Sequence, residues 1–358
     1  MAYNLADICS KFNIKTNIEA YGNGHINDTY LCKSKPSFIL QRINTNVFKN
    51  PDEVMENIYN VTTHLKEKIE AAGGDSDRET LTVIRTRDGE NYYKADSENF
   101  FRMYNYIDNS VSHDTAEDPV QLYHAAKAFG KFQRMLDDFP IDSLHETIKD
   151  FHNTPVRCMQ LDDAIKNNAS GRLESAEKEV KFALEYKKYA SLITDAIKEG
   201  SVPLRVTHND TKLNNVLFDK DTDEGVCVID LDTVMPGSIL YDFGDALRFG
   251  GSSGTEDEKD LDKIWFDLEK FEQFTKGFLS EVSSCLTEKE IELLPVSVLI
   301  MTYECGIRFL ADHINGDTYF KIHRENHNLD RARTQLKLVG DIEKKLPEMA
   351  EIVKKYLA

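Results

Sequence analysis

The chain has 358 residues, of which 41% are hydrophobic and 30% charged, and its formal net charge is −18. That composition excludes a disordered or fibrous chain, and the length serves one large or two modest domains. The negative excess disfavours nucleic acid and anionic membranes as partners, so a polyanionic ligand would need local positive charge or a metal.

The six cysteines are scattered and form no CxxC pair, so buried free thiols are expected rather than a disulfide framework. The N-terminal run MAYNLADICSKFNIK lacks a basic segment followed by an apolar core, and no signal peptide is expected. The longest apolar run, near 296–301, falls far short of the ~20 residues that span a bilayer. The expected location is cytoplasmic. A small molecule is the expected partner, and no obligate protein partner is evident.

Residues 1–20 predict a short helix, with Leu5, Ile8, Cys9 and Phe12 recurring, and then a lead into a strand. Gly22-x-Gly24, with His25 and Asn27 after it, lies between strand-like runs and predicts a tight turn. It reads either as a plain turn or as a partial kinase glycine loop whose backbone N–H groups cover phosphate. Arg42, in the apolar run FILQRIN, needs a partner, and a phosphate or a helix carboxylate would serve. A helix follows from Pro51 to about Glu70, with Val54, Ile58, Val61 and Leu65 at helical spacing. Its Glu56 either pairs with Arg42 or faces solvent.

Leu81–Arg85 and Tyr92–Lys94, joined through Asp88-Gly89, predict a hairpin. Asn99 to Ile107 reads as a last strand, and in a bilobal kinase the segment from Met103 through Tyr106 would offer its backbone edge to an adenine ring. After Asp108 the chain turns helical, first over 119–139 and last over the apolar run 296–312. The expected fold is therefore α+β, with a small antiparallel sheet in residues 1–107 and a larger, mainly helical part in 108–358.

The stretch Leu204 to Asp232 carries the chemistry. It places His208, Asp210, Lys212 and Asn215 on one loop, with Asp230 at the end of an apolar strand. A carboxylate can take the proton of an attacking hydroxyl, and Lys212 can neutralise charge on a transferring phosphoryl group. Asn215 and Asp230 offer oxygens to Mg²⁺, which takes few protein oxygens together with phosphates and waters. The competing reading is a polar turn before a hairpin.

The run HNDTKLNN…VIDLDT resembles the aminoglycoside phosphotransferase and choline kinase superfamily, whose fold is protein-kinase-like. It is more similar still to bacterial N-acetylhexosamine 1-kinases, through YGNGHIN, ILQRINTNVF, IDLDT, the late RFL-DH-NGD-YFK and NLDRARTQ. The resemblance covers nearly the whole chain. It implies an N-terminal nucleotide-binding lobe for ATP and a C-terminal catalytic and sugar-binding lobe. It further implies Asp210 as catalytic base, Asn215 and Asp230 as Mg²⁺ ligands, and Asp232 as a possible helper. Arg42 stands where most kinases have lysine, a departure that leaves the donor geometry open.

Asp242-Phe-Gly244 spells the kinase metal triplet but follows a Pro-Gly loop, so capping a helix or bracing the loop is expected of Asp242. Gly250-Gly-Ser-Ser-Gly254 lacks the buried strand a hydrolase elbow requires, and no P-loop motif occurs. On the acceptor side Glu304, Arg308 and Asp312 share a helix face. Arg308 and Asp312, with Tyr319 and Phe249, offer the donors, acceptors and aromatic face a sugar requires, and His25 and Asn209 are further candidates. An aminoglycoside or choline kinase is the alternative acceptor class. A catalytically weak ligand-binding relative is the alternative outside catalysis.

Overall fold

The computed structural model describes residues 3–22, 26–116 and 118–357. The chain forms two compact units. The first is assembled from Met1–Ser112, Met135–Lys149 and Asn215–Pro236, so two segments from well beyond residue 107 pack with the N-terminal region. The second comprises His113–Arg134, Asp150–Asn214 and Gly237–Ala358.

The first unit is built on a five-stranded antiparallel sheet of order β1-β2-β3-β5-β4. Its strands are β1 (Asn17–Ala20), β2 (Asp28–Lys33), β3 (Phe38–Asn44), β4 (Tyr93–Lys94) and β5 (Asn99–Asn105). Leu40 lies opposite Met103 and Gln41 opposite Arg102. Because side chains alternate across a strand, Cys32, Leu40, Phe101 and Met103 share the face covered by Ile8, Cys9 and Phe12 of the helix Leu5–Lys11. The other face carries Gln41 and Arg102, and it meets Met55 of the helix Pro51–Ala71. That helix starts with Pro51 at its first turn and acidic Asp52 and Glu53 beside it, then buries Val54, Ile58, Val61 and Leu65 as their spacing predicts.

The expected hairpin of 81–94 does not form. Gly89 does turn at φ +86°, but Val83 bridges to Tyr104 and Tyr93 pairs with Phe101. Both segments align along the longer β5 instead of each other, because that seven-residue strand offers a better ladder than a short ribbon. A second sheet joins Ser110–Val111, Val216–Asp219 and Gly225–Val228, and Arg78 ties down the end of its middle strand through Asp219 at 2.8 Å.

In the second unit the helix Glu288–Asn315 is the core element. It begins with a capping box between Thr287 and Glu290 and ends at Gly316, left-handed at φ +97°. It packs on the helices Ile239–Gly250, Thr154–Asn167 and His327–Lys355. A Cβ at Gly306 would stand 3.1 Å from Cβ of Gln335, so glycine lets the last helix approach closely. By length and composition this core helix could cross a membrane, yet 83% of its apolar window is buried within the protein. This apolar stretch is longer than the sequence run suggests, because charged residues set into it are themselves buried. Its start is held by Arg205, which forks onto buried Glu290 at 2.9 Å.

Candidate active site

The loop bearing Asp210 is held from beneath by one carboxylate. The strand Arg205–Thr207 runs into His208 and Asn209, whose backbone N–H groups donate to Asp242 at 2.9 and 2.7 Å. Gln133 donates to the same carboxylate, and the Thr211 hydroxyl donates to the Asp242 carbonyl at 2.6 Å. Burial pushes the Asp242 carboxyl up, against the pull of His208, the two N–H groups and Gln133. Ser238, not Asp242, caps the helix Ile239–Gly250; Asp242 braces the loop. Gly237 faces the loop so closely that a Cβ there would fall 2.3 Å from Thr207 Oγ1.

Asn209 is left-handed at φ +63°, its side chain donates to the Thr207 carbonyl, and its own carbonyl meets His152 at 3.0 Å. This expected acceptor contact is thus placed as a buried strut of the loop. The Asp210 N–H donates to His208 Nδ1 at 3.2 Å, and its carboxylate pairs with Lys212 Nζ at 2.8 Å. Burial works against the Lys212 charge, but the Asp210 carboxylate outweighs it and raises the ammonium's pKa. The pair is partly exposed, a carboxylate with a cation beside it.

Within the first unit, the Ile229 N–H donates to the carbonyl of Asn215 at 2.9 Å, which ties the residue before Asp230 to Asn215. Asp230 follows in a left-handed conformation, φ +59° and ψ +57°, and is exposed. Among the described residues no three His, Cys, Asp or Glu side chains form a metal cluster. An amide oxygen and a carboxylate on adjoining backbone fit a hard cation that completes its shell with phosphate and water.

Asp232 does not fit that role. It is buried, one oxygen is taken by Arg102 and the other by Asn27 Nδ2 at 2.6 Å. Binding metal there would break a buried ion pair. Asn27 in turn accepts the Asn44 N–H at 3.0 Å, so it links the end of the glycine turn to the Asp230–Asp232 turn. Arg102 is the buried cation of this unit, 1% exposed, and it also donates twice to Gln41 Oε1, at 3.0 and 2.9 Å. Arg42 is partly exposed and pairs with Asp28 at 2.7 Å, while Glu56 pairs with His145 at 2.9 Å. The Glu56–Arg42 pairing is therefore not made.

Met103 is a core residue whose carbonyl accepts the Ile84 N–H at 2.8 Å, which removes it from the expected adenine edge. Tyr106 donates its N–H to the Ser37 carbonyl and its ring lies edge-on to Tyr21, 6.0 Å between centroids. Burial and Tyr106 together push the Tyr21 hydroxyl up to about 12. Gly22 is left-handed at φ +72° in open space. Gly24 and His25 lie outside the described residues.

On the acceptor side the three charged residues of the core helix meet different partners. Glu304 is buried and takes His152 Nδ1 at 2.9 Å and the Thr154 hydroxyl at 2.7 Å. Asp312 is also buried, and its two oxygens accept backbone N–H groups of Thr318, Tyr319 and Phe320 plus the Asn328 amide, each at 2.9 Å. It organises that turn, so both oxygens of this expected sugar ligand are engaged within the protein. Arg308 stands between them with its guanidinium 5.9 Å from the Phe151 centroid and 5.5 Å from that of Phe320, and it forms no ion pair among the described residues. Tyr319 is 71% exposed with its ring edge-on to Phe320. Phe249 lies apart from these, on a cavity of about 310 Å³ lined also by Leu213, Arg248, Ser252 and Lys270. Arg102 and His152 were missed from sequence. The first had a signal: an arginine amid FFRMY demands a buried partner as much as Arg42 does.

Residues 17–273 match the family described as phosphotransferase enzyme family (APH). Among solved structures, the chain is similar to a microcompartment-associated aminopropanol kinase, at 17% identity and TM-score 0.64, covering 97% of this chain and 98% of that one. It is similar to an aminoglycoside phosphotransferase from Alicyclobacillus acidocaldarius at 12% identity and TM-score 0.66, with 98% and 96% covered. An amicoumacin kinase in complex with AMP-PNP and Ca²⁺ matches at 13% identity and TM-score 0.56, with 94% and 93% covered. The small antiparallel sheet and the larger helical part are those of this protein-kinase-like fold.

Proposed function

Because the chain belongs to the phosphotransferase enzyme family, we propose that it is an ATP- and Mg²⁺-dependent kinase that phosphorylates the anomeric hydroxyl of an N-acetylhexosamine. Asp210 takes the proton of that hydroxyl as the bond to phosphorus forms. Lys212 keeps the base oriented and offsets charge on the moving phosphoryl group. Asn215 and Asp230 hold the metal, which supplies charge neutralisation to the nucleotide phosphates. Asp232, Arg102 and Asn27 fix the turn from which Asp230 projects.

Arg308 carries the choice of acceptor. Aminopropanol, and aminoglycosides with their amino groups, present ammonium ions, which a guanidinium that makes no ion pair among the described residues repels. A neutral ring bearing hydroxyls and an acetamide carbonyl instead accepts hydrogen bonds from it, and Phe151 and Phe320 flank it with apolar surface. Arg308→Ala is expected to raise KM for the sugar roughly 10- to 100-fold, the worth of a charge-assisted hydrogen bond, while KM for Mg·ATP stays put. Steady-state kinetics with each substrate varied in turn would read this. Asp230→Ala should abolish the Mg²⁺ dependence of nucleotide binding, and an unchanged Mg·ATP titration in a calorimeter would remove Asp230 from that role.

A coupled ADP-release assay over N-acetylglucosamine, N-acetylgalactosamine, choline and aminoglycosides tests the whole reading. The expected product is a sugar 1-phosphate, recognisable because it no longer reduces. Turnover on choline or an aminoglycoside with none on either sugar would replace the proposed acceptor with an amine. ADP release with no acceptor in the set would leave only the family chemistry.

A further inference from the structure

The peptide unit that joins Asn209 to Asp210 is gripped at both ends by imidazoles. Its carbonyl faces His152 Nε2 at 3.0 Å, and its N–H faces His208 Nδ1 at 3.2 Å. The two rings must then be in opposite states. A carbonyl oxygen accepts, so His152 Nε2 carries a proton; an N–H donates, so His208 Nδ1 carries none. His152 has a second demand on it, because Nδ1 faces Glu304 Oε1 at 2.9 Å. A neutral imidazole has one N–H for these two acceptors.

We propose that His152 is an imidazolium that acts as a positioning residue, orienting the peptide before Asp210 and joining the base loop to the helix that presents Arg308. This rests on the reading of Asp210 as base. Glu304 lies one helical turn before Arg308, and its other oxygen is taken by the Thr154 hydroxyl, which favours the ionised carboxylate. The remaining charges and titratable groups around the ring are Asp245 and Tyr241 from the helix Ile239–Gly250, and Arg308 beyond Glu304. Phe151 lies on the ring at 4.5 Å and Tyr241 at 5.3 Å, so water has little access. Burial opposes the charge, yet Glu304 and Asp245 raise the His152 pKa above its usual 6.5. The sign follows: the contribution of this contact is full below about 6.5 and is lost as pH rises through the higher folded value.

The test separates the two ring nitrogens. His152→Gln keeps a donor where Nε2 stood, toward the Asn209 carbonyl. His152→Asn keeps one where Nδ1 stood, toward Glu304. The Gln variant is expected to retain kcat within about threefold and to lose the alkaline limb of the pH–kcat profile that His152 titration produces. The Asn variant is expected to lose kcat roughly 10- to 100-fold with KM for Mg·ATP unchanged. Equal losses in both variants, tracking equal falls in Tm, would reduce His152 to a packing residue. Independently of any acceptor, long-range ¹H–¹⁵N spectra of histidine-labelled protein at pH 7 should place both His152 nitrogens in the protonated range. A neutral His152 ring there overturns the proposal. Asp210→Asn run alongside distinguishes the two levels: if it keeps turnover, the base assignment fails, and His152 is still judged by its spectrum.

Discussion

Asp210→Ala is expected to lower kcat by about 10²–10⁴ while Mg·ATP still binds, because the proton of the acceptor then has no positioned carboxylate to receive it. The fold should scarcely notice. Asp210 is partly exposed, and its pair with Lys212 is of the exposed kind worth about 0–1 kcal/mol. The loop itself is held by Asp242 and by the backbone bonds of 208 and 209, none of which the substitution touches. Single-turnover measurements at saturating nucleotide, together with a thermal melt, separate these effects. Near-wild-type turnover in the variant would end the assignment of Asp210 as base.

The second large effect concerns stability. Arg102→Met leaves Asp232 buried with Asn27 as its one remaining donor among the described residues, and breaking a buried pair from one side costs about 3–5 kcal/mol. Asp232→Leu takes the carboxylate from the guanidinium in the same way, leaving it Gln41, the Met55 sulfur and the face of Tyr104 among the described residues. The double variant Arg102→Met/Asp232→Leu should recover most of the loss, since removing both charges together is often neutral or better. Urea unfolding of the three variants gives the cycle. A single Arg102→Met within 1 kcal/mol of wild type would show that the pair is dispensable. The nucleotide-dependent properties of the double variant should still suffer, because the turn that carries Asp230 loses its anchor.

What the sequence makes legible is local or periodic. Val54, Ile58, Val61 and Leu65 announce one buried helix face, and the apolar runs FILQRIN and NFFRMYN announce strands. Of the two roles expected of Asp242, capping the helix or bracing the loop, the structure shows the second. What escapes is pairing over distance. Asp88-Gly89 is a sound turn signal, but it carries no information about β5, which captures both flanking segments. Nothing in the run of Glu304, Arg308 and Asp312 says that the first binds a histidine 152 positions away or that the third gathers three backbone N–H groups of a later turn. A carboxylate on a helix reads the same whether it meets a ligand or a loop.

The interleaving of the two units has a consequence for synthesis on the ribosome. The sheet of β1 to β5 emerges early, yet its buried Arg102 waits for Asp232, 130 positions later, and the strand Ser110–Val111 waits for Val216–Asp219. At about 5–20 residues per second that delay lasts on the order of ten seconds. Through that interval the nascent N-terminal region carries an unpaired guanidinium on a face destined for the interior and an open strand edge. A chaperone that shields it, or a pause that lengthens the exposure, would act on yield without altering the finished enzyme. For the same reason a fragment ending at Ser112 is expected to remain unfolded or to aggregate, which limited proteolysis and light scattering would report.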